Sequence, residues 1–203
     1  MQDGCWEADI IILVFNSEVQ KKVVEKIYDF AFKIKTSAHL IYTFFKIKIS
    51  FMDKITSTNP DSWVLLIARL ALGITILPHG AQKLLGMFGG DGFTGTMGFL
   101  TGMKHLPYII ALLVILIEFF GSLMLIFGAF TRVAALGFIV LFAGVVISSN
   151  FQNGFFMNWA GTQKGEGFEY FIMLAGLALV ALIGGGGKAS VDAAITKKPI
   201  GTK

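Results

Sequence analysis

Residues 107–130 read PYIIALLVILIEFFGSLMLIFGAF, 24 positions in which Glu118 carries the only charge. About 20 consecutive apolar residues suffice for a helix to cross the hydrocarbon of a bilayer, so this stretch reads as a membrane span and sets the class of the protein. A carboxylate at the middle of such a span costs roughly 2.5–3.5 kcal/mol on insertion scales. Glu118 therefore needs a partner inside the protein, and intramembrane carboxylates commonly serve a function.

Working outward, residues 63–85, 133–150 and 168–187 form three further apolar stretches of similar length. Only Thr131 and Arg132 separate the second span from the third, which predicts a tight helical hairpin. The loop 86–106 holds seven glycines and is too polar and flexible to span. Trp63, Phe88, Tyr108, Phe151, Phe155, Phe156, Trp159, Phe168 and Tyr170 gather at the span ends, as an interfacial aromatic belt does. The expected fold is all-α, a four-transmembrane-helix bundle with an extra N-terminal segment.

Composition agrees. Of 203 residues 55% are hydrophobic and 15% charged, against about 25% charged in soluble proteins. Mean hydropathy is +0.72. A net charge of +4 in such a chain points to juxtamembrane anchoring on lipid and not to nucleic acid. The one cysteine, Cys5, rules out an intrachain disulfide, a CxxC pair, a thiolate metal site and an iron–sulfur ligand set. No metal is expected. The apolar stretch 10–15 is too short for a signal peptide and follows acidic residues, so no cleaved signal is expected. Lys46, Lys48, Lys54, Arg132, Lys188, Lys197, Lys198 and Lys203 flank one side of the bundle, and Lys83, Lys104 and Lys164 the other. That bias places both termini, including a basic tail at 195–203, in the cytoplasm of a cell-membrane protein.

Residues 1–51 differ in character from the membrane part at 52–194. Val19, Val23, Ile27, Ala31 and Ile34 recur at helical spacing among lysines, which reads as a basic amphipathic helix on the membrane surface. A second reading stands beside it: Met52 opens a natural start for the membrane part, and the Lys-, Ile- and Phe-rich stretch upstream resembles translated noncoding sequence. The intact mass of the native protein separates the two.

Polar residues within the spans form stripes. Arg69, Gly73, Ile76, Gly80 and Lys83 share one face of the first span, with Pro78 as an expected kink; Glu118, Ser122, Leu125, Ala129 and Arg132 share one of the second; Glu169, Met173, Gly176, Val180, Ile183 and Gly187 share one of the fourth. The third span offers only Gly137 and Gly144, a packing signal. Arg69 lies about five residues, or ~7.5 Å, from the middle of its span, so its long side chain is a candidate partner for Glu118. Such a pair either locks two helices together or forms a proton-linked or ligand-facing site. His79, Gln82, Lys83, Glu166 and Glu169 all fall toward the opposite end of the bundle and together suggest a polar site there. Snorkelling explains Lys83 equally well, and a helix N-terminus explains Glu169. Haem ligation by His79 and His105 is disfavoured, because His105 falls in a loop at unmatched depth.

Three stretches, RLALGITILPHGAQKLLG (69–86), EFFGSLMLIFGAFTR (118–132) and GEGFEYFIMLAGLALVALIGGGGKASVD (165–192), resemble in order the signatures of the DoxX family. The resemblance covers residues 62–194 and omits 1–51. It implies a four-helix membrane protein, an oxidoreductase or oxidoreductase subunit linked to quinone or respiratory chemistry. Its characteristic polar residues here would be Arg69, His79, Lys83, Glu118, Arg132, Glu169 and Asp192. The sequence has no nucleotide fingerprint, flavin motif or metal cluster, so the implied electron carrier is a diffusible quinone or a cofactor on a partner subunit. Arg69 and Glu118 are the candidate catalytic residues, and Arg69, His79, Gln82, Lys83, Glu118 and Glu169 the candidate quinone or ligand contacts. The rival reading is a non-enzymatic membrane scaffold or a small permease, alone or as a homo-oligomer; no inverted repeat is evident, which weighs against a solitary transporter.

Overall fold

The computed structural model describes residues 52–196 and scattered positions between 18 and 50. The chain divides into two units, Met1–Phe51 and Met52–Lys203. The described positions of the first are helical and exposed, and Lys33 pairs with Asp29 one turn away at 3.2 Å. Val19, Val23, Ile27, Ala31 and Ile34, which carry the surface-helix expectation, lie outside the described residues, as does the chain beyond Thr196.

The described part of the second unit is helical, with no strand. In order it contains α1 (Trp63–Leu85), α2 (Gly92–Gly98), α3 (Tyr108–Phe127), α4 (Thr131–Asn153), α5 (Glu169–Gly184) and α6 (Val191–Thr196). Three of these, α1, α3 and α4, are long and apolar enough to cross a membrane. The expected fourth span is a helix of 16 residues, α5, which is shorter. Only 33–39% of each long apolar segment is buried within the protein, and the outward faces carry Ile67, Ile74, Leu113, Phe120, Leu136, Val140 and Ile147. Such an apolar exterior is satisfied by lipid, so this is a membrane protein.

Local chemistry explains the element ends. The Ser62 hydroxyl accepts from the Leu65 amide and caps α1, and Gly86 closes it in the left-handed region at φ 72°. Pro78 is accommodated inside α1 without ending it. The α3–α4 turn also needs positive φ, at Gly128 (66°) and Phe130 (48°). A π turn at Ile117–Gly121 widens α3 around Glu118. Such single-turn insertions are rare and tend to occur at functional positions.

Between helices that face lipid, close packing replaces the hydrophobic drive, and small residues permit it. Gly73 lies under the Ser122 carbonyl and the Leu125 and Ile126 side chains, and Gly80 lies directly against the Glu118–Phe119 peptide. The expected α1 stripe is thus the buried face: Arg69, Gly73, Ile76 and Gly80 all point into the protein. On the other side, Leu72, Leu125, Phe138, Phe142, Leu174 and Ala178 form the core, with Phe138 and Phe142 stacked at 5.6 Å.

Two packing expectations are corrected. In α5 the buried face is Leu174, Ala178 and Ala181, while Met173, Gly176, Val180 and Ile183 face outward. Only the middle of the expected stripe turns outward: Gly187 is buried against Leu65 and the Ser62 carbonyl, and Glu169 is half-buried. In α4, Gly137 touches Ile117, but nothing lies within 4 Å of a side chain built at Gly144.

A methyl group at Gly80 would fall 2.6 Å from the Glu118 carbonyl carbon and the Phe119 amide nitrogen. Gly80→Ala is therefore expected to force α1 from α3 and to cost about 1–3 kcal/mol. Thermal unfolding in detergent should show a clear drop in Tm, whereas Gly144→Ala should leave it unchanged or slightly raised.

Candidate functional site

The described charged groups within the spans sort into two sets at opposite ends of the bundle. At the first end Arg69, only 1% exposed, is enclosed by backbone carbonyls. Its Nη1 donates to Leu125 (2.8 Å) and Ile126 (2.5 Å), its Nε to Gly186 (2.7 Å), and its Nη2 to Lys188 (3.1 Å) and Ala189 (2.9 Å). The first two acceptors are carbonyls of the last turn of α3, where intrahelical donors run out; Leu125 also accepts from the Gly128 amide at 3.1 Å. Asp192 complements this at the start of α4, where its carboxylate accepts from the Phe130 and Thr131 amides at 2.8 and 2.9 Å. A cation at a helix C-terminus and an anion at an N-terminus are both stabilised by the helix dipoles. Arg132 does the same at the end of α5, donating to Leu182 (2.8 Å), and it also holds Ser57 (3.0 Å).

The expected Arg69–Glu118 pair does not form. The five Arg69 hydrogen bonds all go to backbone oxygens near the end of the spans. Their convergence outcompetes a single carboxylate nearly two helical turns away along α3.

Glu118 pairs with Lys83 instead. Gly80 makes this pair, because the contact of α1 with the Glu118 peptide brings the next turn of α1, which carries Lys83, beside the carboxylate. The glutamate side chain is 8% exposed and that of Lys83 32%. Lys83 thus turns inward to the carboxylate and does not snorkel away to the membrane surface. The Ser122 hydroxyl donates to the Glu118 carbonyl at 2.5 Å, satisfying a backbone group beside the π turn.

The pair lines a cavity of about 160 Å³ together with His79 and Tyr170; its walls are Ile76, Leu141, Phe142, Val145, Phe171 and Leu174. A cavity of about 150 Å³ holds a benzene-sized ring, so this one accommodates a ring-sized group. Chemically it offers an ammonium donor, a carboxylate, an imidazole and a phenol against apolar walls, a mixture that small-molecule pockets share. From sequence alone Tyr170 reads as a belt aromatic; its place in the first turn of α5, beside Leu141, Phe142 and Val145 of α4, brings it here.

The remaining expected contacts separate from this site. Gln82 donates to the Phe88 carbonyl at 3.3 Å and lines a neighbouring cavity. Glu169 accepts from the Trp159 indole at 3.3 Å, and Glu166 accepts from the Asn158 amide at 2.8 Å, so both organise the α4–α5 loop. Side chains of Asn150 and Asn153 donate to the Glu166 carbonyl at 2.9 and 3.0 Å and complete that loop.

A family model described as DoxX matches residues 64–150, a stretch that includes Arg69, His79, Gln82, Lys83 and Glu118. The chain is 32% identical over 136 residues to the inner membrane protein YqjF of Escherichia coli strain K12, covering 66% of this chain and 92% of that one. It is 29% identical over 114 residues to a Bacillus subtilis strain 168 protein named "Putative oxidoreductase CatD", covering 56% of this chain and 75% of that one. No solved structure matches the chain.

The two charge clusters should respond differently to substitution. Arg69→Gln strands several carbonyls and is expected to cost about 3–5 kcal/mol. Lys83→Met alone leaves a buried carboxylate unpaired, so it should be more damaging than Lys83→Met combined with Glu118→Gln. Thermal unfolding of the single and double variants gives the coupling directly.

Proposed function

The chain belongs to the DoxX family of membrane proteins, and from that premise we propose that it supports quinone-linked redox chemistry as an oxidoreductase or a subunit of one. The observation that carries this reading is an ion pair, Lys83–Glu118, set beside His79 and Tyr170 in the wall of a largely apolar cavity of ring size. A quinone head group presents carbonyl oxygens that need donors and, on reduction, protons. Lys83, His79 and Tyr170 are the donors that would orient it, and Glu118 is the group that would exchange a proton with it. Electrons would come from a redox group on a partner subunit. The name of the Bacillus subtilis relative supports the oxidoreductase class, and Arg69 has a structural part only.

In this reading α5 is the fourth crossing. Its 16 residues rise about 24 Å, and the aromatic residues before it carry the chain through the interface. Both termini are on the cytoplasmic side. A transport path is less well supported than a site, because Leu72 and Leu125, with no exposed surface, close the packing between the cavity and Arg69.

In liposomes, a short-chain quinone analogue should raise the Tm of the protein. Glu118→Gln should fold normally yet weaken analogue binding and quinone-dependent turnover at least tenfold. Absence of analogue binding, with unchanged respiratory activity on deletion, would support the scaffold reading instead.

A further inference from the structure

A second cavity, of about 220 Å³, adjoins the first and is lined by Gln82, Lys83, Gly90, Asp91, Thr96 and Phe99. Lys83 is the residue common to both. Its side chain is one-third exposed while its amine rests on a carboxylate that is nearly buried. The outer cavity is built by close approach: a side chain at Gly90 would lie 2.6 Å from the Gln82 Cα, so only glycine lets the Gly89–Gly92 turn press against α1. Asp91 follows directly. It stands at the N-cap of α2 yet makes no side-chain capping bond there, and it forms no ion pair among the described residues. A carboxylate that neither caps nor pairs thus shares the lining of the outer cavity with a lysine whose head reaches an inner carboxylate.

We propose that Lys83 carries protons between the two cavities, recharged from Asp91 in the outer one and discharged onto Glu118 in the inner one. The Lys83 N–H bond breaks as an O–H bond forms on Glu118, leaving a neutral amine and a neutral acid. The Asp91 carboxylate then takes up a proton from the aqueous phase and passes it to the amine, directly or through water, and is a carboxylate again. The acid at Glu118 passes its proton to the occupant of the inner cavity. One proton has crossed, and every group is back in its starting state. The other titratable groups facing Lys83 are His79 on its own helix and Tyr170 on α5; α4 contributes only Leu141, Phe142 and Val145 to the inner wall. The proposal rests on the inner cavity being the quinone site described above.

Two measurements on the full chain in liposomes test it. In a Cys5→Ser background, Lys83→Cys should react with a membrane-impermeant trimethylammonium methanethiosulfonate at least tenfold faster than Ile76→Cys, which lies in the inner cavity away from the outer one. Asp91→Asn is an exposed change that should leave the fold intact. It should slow quinone-linked turnover about tenfold at alkaline pH, leave KM for the quinone analogue unchanged, and be restored by Asp91→Glu. Equal labelling of the two cysteines, or a wild-type pH profile in Asp91→Asn, overturns the proposal. The labelling arm needs no quinone, so slow labelling with turnover intact removes this proposal alone, while absent turnover in the unaltered protein removes the reading on which it rests.

Discussion

A guanidinium that must be satisfied away from water organises this bundle. Arg69 reaches carbonyls at the end of α3 and in the 186–189 loop, and Asp192 closes the same junction by holding the first amides of α4. With few competing waters, each unpaired backbone group in this region would be expensive, so the junction tolerates few alternative arrangements. Gly128 belongs to the same constraint. A side chain there would lie 3.1 Å from the Arg69 guanidinium carbon, and its φ of 66° already favours glycine.

Fixing one end in this way frees the other. Since Arg69 is fully engaged, the carboxylate at the middle of α3 must find its counter-charge elsewhere, and the Gly80 contact supplies Lys83. The protein thus separates a closed, backbone-satisfied end from an end where an ion pair borders open volume. Helix locking alone is served by the first. The second retains a charge pair beside a cavity, at the cost of desolvating both partners, and that arrangement suits ligand contact better than rigidity.

Much of the fold was legible because length and apolarity are one-dimensional properties. The first span coincides with α1, and Tyr108–Phe127 falls within the expected 107–130 stretch. Glu118 was also legible, as an expensive charge. Its partner was not. Nothing in a sequence marks a backbone carbonyl as the acceptor for an arginine, so Arg69 looked available, and a lysine near a helix end looked like a snorkelling residue. The π turn around Glu118 likewise has no side-chain signature. In α5, apolar on all sides beyond its first turn, glycine and alanine stripes compete as packing faces, and only packing against α1 and α4 selects Ala178 and Ala181. Tyr170 depended on the same choice.

The central claim is that Glu118, and not Arg69, meets the ligand. Infrared difference spectra recorded as a quinone analogue is added to the protein in liposomes test it most directly. The account predicts a carboxyl band that changes on binding, vanishes in Glu118→Gln, and persists in an Arg69→Lys variant that remains folded. A band that survives Glu118→Gln, or the absence of any carboxyl change when the analogue binds, would contradict it.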